Sequence, residues 1–132
     1  MAESDPFALA HRAAAALAQR TGVGCHDVVI VLGSGWADAA DGLGEVVADV
    51  EMADLPGFPV PTVEGHRNLA RSVRVGEMAA LILGGRAHLY EGHPVDTVVH
   101  GVRTAVAAGC RTAVLTNAAG GLNPDWPVGQ PV

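Results

Sequence analysis

A chain of 132 residues that is 49% hydrophobic has the size and apolar content of one folded domain with a real core, which argues against disorder. Its net charge of −6 sets 14 acidic residues against eight basic ones. All eight are arginine, so a P-loop lysine and a Schiff-base lysine are excluded, and with no clustered basic stripe nucleic acid is not an expected partner.

Gly 17 and Pro 8 exceed what a helical bundle wants, while the alanine content favours helices, so alternating strands, loops and helices are expected. The fold class is α/β. No apolar run approaches the roughly 18 residues that span a bilayer, and the opening MAESDPF lacks a basic region followed by an apolar one. No membrane partner is expected, and a cytoplasmic protein is. Cys25 and Cys110 sit outside any CxxC or Cys/His pattern, which fits a reducing compartment.

In chain order, Asp5 is an N-cap candidate, Pro6 suits the first helical position, and an alanine-rich helix runs to Arg20, where Gly22 can end it. Val28 to Leu32 is a β-branched run of the kind buried on both faces. It feeds Gly33-Ser34-Gly35, and a helix-like stretch begins at Trp36. Leu69 to Val75 and Met78 to Leu83 flank Gly76-Glu77 and predict a hairpin, hence a mixed sheet. Pro94 to Ala108 carries valines at helical spacing and ends at Gly109. Ala113 to Leu115 predicts another buried strand, followed by TNAAGG, Thr116 to Gly121. The final GLNPDWPVGQPV begins a further apolar pattern, so an incomplete chain is expected.

Three predicted strand ends therefore carry unusual loops: Gly33-Ser34-Gly35, GGRAHLYEGHP (Gly84 to Pro94) and Thr116 to Gly121. In open α/β sheets, such loops converge on ligands at the carboxyl ends of the strands. Their contents suit one small oxyanion. Ser34 offers a hydroxyl and, with Gly35, backbone N–H groups. Arg86 offers a planar fork matched to phosphate oxygens, and His88 another donor. The turn Ala118-Ala119-Gly120 can present backbone N–H groups because its small residues allow close approach. Inorganic phosphate is the expected ligand.

Taken singly, each residue also has a structural reading: Ser34 as a turn residue, Arg86 as a surface cation, His88 or His93 as a packed histidine, and Tyr90 as a packed ring. Glu64 and His66 could be a plain exposed turn, and Trp36 and Met52 simple packing. Other motifs fit less well. The third glycine of a dinucleotide fingerprint is replaced by Asp38, and a nucleophile elbow would need glycines where Leu32 and Trp36 stand. His66, His88, Glu91 and His93 could ligate a metal, but the spacing is not HExxH and Arg86 is an unwelcome neighbour for a cation, so no metal is expected.

VLGSGW, EGHRN, GGRAHLYEGHP and TNAAGGLNP, in that order between Val31 and Pro124, resemble the N-terminal half of the trimeric purine nucleoside phosphorylases, in their 6-oxopurine-specific branch. The methylthioadenosine branch is less similar, since it usually has threonine at the position of Ser34 and a different phosphate loop. The resemblance implies a three-layer α/β/α fold around a twisted mixed sheet, with residues 1–132 forming the N-terminal part of one domain. It also implies that Ser34, Arg86, His88 and the backbone at Ala118 bind phosphate and that Tyr90 contacts ribose. His66, His88 and Glu91 would serve catalysis beside phosphate and sugar. Gly33, Gly35 and Asn117 would support the loops.

The implied reaction is phosphorolysis of (deoxy)inosine or (deoxy)guanosine in purine salvage, by a homotrimer, with phosphate as co-substrate and no cofactor. The family's base-contacting groups belong to its second half, so base preference is not legible, and residues 1–132 alone would lack phosphorolysis and expose an apolar sheet edge. Alternatives are a methylthioadenosine phosphorylase or a noncatalytic fragment that binds phosphate or nucleoside. A nucleoside hydrolase would need a calcium-binding aspartate cluster, which the sequence does not offer.

Overall fold

The computed structural model describes residues 5–61 and 68–132. Helix α1 spans Pro6–Thr21, and both of its ends follow local chemistry. The Asp5 carboxylate accepts the Phe7 N–H at 3.0 Å, and Gly22 takes the left-handed conformation while its N–H closes on the Ala18 carbonyl. An N-cap of this kind is worth about 1 kcal/mol.

Five strands make one sheet: β1 (Val28–Val31), β2 (Glu45–Glu51), β3 (Leu69–Val75), β4 (Met78–Leu83) and β5 (Thr112–Leu115), in the order β2-β3-β4-β1-β5. Strand β1 runs parallel to both β4 and β5, whereas β2, β3 and β4 are antiparallel. The sheet is mixed because Gly76, at φ 61°, lets the chain reverse directly from β3 into β4. Returning from β4 to β5 needs a helical crossover. That crossover is α2 (Val95–Val98) and α3 (His100–Ala107), two segments meeting at Val99 where one helix was expected.

Alternation along the strands divides the core. Val29, Val31, Val50, Ala70, Leu81 and Leu83 face α1 and α3, packing on Ala14, Leu17, Ala105 and Ala108. On the opposite face Val73, Ala80 and Ile82 pack with Val28 and Ile30 beneath Ala40 and Leu43. The expected helix after Trp36 is a 3-10 helix, Ala37–Gly42. Among the described residues, the two long helices thus cover one face and this short turn the other.

Strand β2 was not foreseen. The reading of Ala113 to Leu115 as buried does not hold within residues 1–132, where β5 is exposed along its whole length and forms the apolar sheet edge that the resemblance implies for this part. It is the edge strand, and nothing among the described residues pairs with its outer side, so Val114 and Leu115 face solvent.

His26, just before β1, reaches across β4 to Ser72 on β3, with Nε2 and the hydroxyl 2.9 Å apart and both groups buried. Among the described residues its Nδ1 has no partner. Burial holds the ring below its ordinary 6.5, only partly opposed by Asp27. The neutral ring therefore contributes stability fully above about pH 6.5, and that stability is lost as pH falls toward the depressed folded value. The unfolding midpoint should drop between pH 7.5 and 5.5, and His26→Gln should flatten that dependence. An equal pH slope in both proteins would contradict this role.

Candidate active site at the strand ends

The parallel pairing of β1 with β4 and β5 brings three carboxyl ends side by side. After β1 the chain turns sharply, with the Trp36 N–H closing on the Gly33 carbonyl at 3.2 Å and Gly35 at φ 82°. Gly33 is pressed against the loop after β5: a Cβ there would lie 2.6 Å from the Thr116 carbonyl oxygen and 2.9 Å from the Asn117 Cα.

Thr116 knots the two loops together. Its hydroxyl accepts the Gly33 N–H and donates to the Val31 carbonyl, each at 2.9 Å. Trp36 adds a longer bond, its indole N–H reaching the Asn117 carbonyl at 3.4 Å.

After β4, Gly84 closes on the Leu69 carbonyl and the chain passes through Gly85 to Arg86. One Arg86 nitrogen, Nη1, donates to the Thr116 carbonyl at 2.8 Å. Arg86 is thereby tied to the β5 loop, while the rest of its fork is open among the described residues. His88 caps the 3-10 helix Leu89–Glu91: the Glu91 carboxylate accepts its backbone N–H at 2.7 Å and its Nδ1–H at 3.1 Å. Those bonds, the backbone one foremost, hold the Glu91 carboxyl below the usual range and keep it charged. With Nδ1 engaged, Nε2 of His88 has no partner among the described residues. The Tyr90 ring stacks on His88 at 4.7 Å and is 83% exposed.

Ser34, Arg86, His88, Tyr90 and Glu91 line one cavity of about 390 Å³ together with Gly33 and Gly35. A hydroxyl, a guanidinium and an imidazole around one cavity, beside a glycine turn, are the donor set that an oxyanion requires. A second, largely apolar cavity of about 480 Å³ adjoins it, and Asn117 lines that one. Arg86 borders both. Ala118 is exposed on the loop after β5 and is not among the residues lining either cavity. His66 and Glu64 lie outside the described residues. Among the described residues, no group of three or more His, Cys, Asp or Glu side chains is placed to hold a metal ion.

Residues 27–132 match the model of the phosphorylase superfamily. The chain belongs to that superfamily. It is 54% identical over 134 residues to a purine nucleoside phosphorylase of a Cellulomonas species, covering 98% of this chain and 48% of that relative. The purine nucleoside phosphorylase of Mycobacterium tuberculosis is 54% identical over 128 residues, covering 97% and 48%. The chain spans about half the length of the curated relatives it matches. Among solved structures, a purine nucleoside phosphorylase in complex with ribose-1-phosphate superposes with a TM-score of 0.79 at 29% identity, covering 91% of this chain and 43% of that one. The Schistosoma mansoni purine nucleoside phosphorylase in complex with inosine gives 0.78 at 28% identity, covering 92% and 42%. The fold is thus the α/β fold of the superfamily, as the four sequence motifs implied.

The sequence had pointed to every named residue around the smaller cavity that carries a charge or hydroxyl. It had not singled out Thr116 as the knot between loops, nor Asn68, which lines both cavities. Trp36 had been read as packing. A threonine at a strand end and an asparagine before a strand carry no pattern of their own, so only the fold exposes them.

Proposed function

We propose that the protein acts as a purine nucleoside phosphorylase, cleaving (deoxy)inosine or (deoxy)guanosine with phosphate to give the free purine and (deoxy)ribose 1-phosphate. The observation that carries this reading is the gathering of Ser34, Arg86 and His88 around one cavity at the ends of β1 and β4. The names of the relatives at 54% identity support it.

In this reading a phosphate oxygen attacks the anomeric carbon as the bond to the purine nitrogen breaks. The bonding pair leaves with the purine, which takes up a proton. Positive charge builds on the ribosyl centre in between, and a phosphate held alongside both stabilises that charge and captures it. Arg86 and the backbone at Ser34-Gly35 orient the anion, while the Ala118 backbone, which lines neither cavity, is assigned to it by the resemblance alone. His88, its Nδ1–H held by Glu91, adds a donor from Nε2 as the imidazolium, and Tyr90 meets the sugar. The resemblance would give His66 a catalytic role as well, and Gly33, Gly35 and Asn117 hold the loops.

The preference for 6-oxopurines, the homotrimer, a role in purine salvage and a cytoplasmic location belong to the same proposal. They are supported by the resemblance and, for location, by the cysteine usage. Phosphate is a co-substrate, and the proposal includes no metal or other cofactor. The test is phosphate-dependent conversion of inosine to hypoxanthine and ribose 1-phosphate by the full protein, with and without chelator. Chelator should change nothing. Release of free ribose without phosphate would overturn the reading in favour of hydrolysis.

A further inference from the structure

Asn68 stands one residue before β3, and its backbone is fixed there because its carbonyl accepts the Met52 N–H at 2.8 Å. The side chain lies over Gly85. A Cβ on Gly85 would fall 2.5 Å from Oδ1, 2.8 Å from Cγ and 3.2 Å from Nδ2 of Asn68. Only a glycine leaves the carboxamide this place, and its oxygen is the end pressed toward the chain. The N–H2 end is the farther of the two from that Cβ position.

Asn68 is half-buried and lines both cavities, as do Gly85 and Arg86. Among the described residues its carboxamide has no hydrogen-bond partner, so its donors are open to a ligand. Ser34 and His88 line the smaller cavity and are not among the residues lining the larger. An anion in the smaller cavity would have Ser34, Arg86, His88 and Asn68 together in its lining.

We propose that Asn68 is a phosphate-contacting residue of this site, its carboxamide N–H2 donating to an oxygen of the anion bound beside Ser34, Arg86 and His88. This rests on the phosphate reading of the cavity. Gly85 is the positioning residue behind it, since any side chain there displaces the carboxamide.

Calorimetric titration of the full protein with inorganic phosphate, at constant ionic strength, tests the assignment. Asn68→Asp keeps the shape but replaces a donor by a negative charge, so phosphate affinity should fall about tenfold or more. Asn68→Ala should weaken binding less than Asn68→Asp does. Gly85→Ala should weaken phosphate binding in the unsubstituted protein yet add little in the Asn68→Ala background, because the group it displaces is already gone. Unchanged affinity in Asn68→Asp, alongside its loss in Arg86→Ala, would overturn the role of Asn68 and leave the phosphate site standing. Equal effects of Gly85→Ala in both backgrounds would overturn the positioning role of Gly85. No phosphate binding by the unsubstituted protein would overturn the site and the inference together.

Discussion

Replacing Arg86 by alanine is expected to raise the phosphate concentration needed for half-maximal turnover by about ten- to a hundredfold, because a charge-assisted hydrogen bond contributes about 1.5–3 kcal/mol. The nucleoside requirement should change far less, since the guanidinium meets the oxyanion and not the base. The substitution also removes the 2.8 Å bond from Nη1 to the Thr116 carbonyl, which ties the β4 loop to the β5 loop. Arg86→Lys separates the two roles. It keeps the positive charge but loses the planar fork that holds Thr116 and the anion at once, so it should fall between wild type and alanine. Steady-state kinetics with phosphate and inosine varied independently measure both constants. An unchanged phosphate dependence in Arg86→Ala would contradict the assignment of this cavity.

Gly33→Ala should be the most damaging glycine substitution in the site. Its Cβ would sit 2.6 Å from the Thr116 carbonyl oxygen and 2.9 Å from the Asn117 Cα, and both atoms are backbone. Neither can swing aside without pulling on the bonds from Thr116 to Val31 and Gly33. Overpacking of this kind costs about 1–3 kcal/mol. The unfolding midpoint should fall by several degrees, and phosphate should bind more weakly because the loops after β1 and β5 are forced apart. Gly121→Ala is the control, since a Cβ there meets nothing. If both variants unfold at the same temperature, the close approach of the two loops is wrong.

What could be read from the sequence was local. Asp5, Pro6 and Gly22 announce the ends of α1, and Gly76 announces the hairpin, because each acts through its own backbone or its immediate neighbours. Strand β2 escaped notice for a physical reason: the register shifts between Val46 and Ala48, and most of its residues are exposed, so the alternation that marks a half-covered strand is lost. Strand β5 is the exposed apolar edge of residues 1–132, as the resemblance implied for this part of the domain, because the apolar content of Ala113 to Leu115 does not by itself say which neighbours cover it.

The site divides in the same way. Ser34, Arg86 and His88 stood out because their side chains suit an oxyanion and lie just beyond predicted strands. The knot at Thr116 and the seat of Asn68 on Gly85 depend on how separate loops meet. Composition and spacing do not encode those meetings.

The central claim is that the ends of β1, β4 and β5 form a phosphate site, and a crystal structure of the protein grown with saturating phosphate tests it most directly. The account predicts one phosphate in the smaller cavity, within about 3 Å of the Ser34 hydroxyl, the Arg86 guanidinium and the His88 imidazole. Phosphate bound elsewhere, with that cavity left to water, would contradict it.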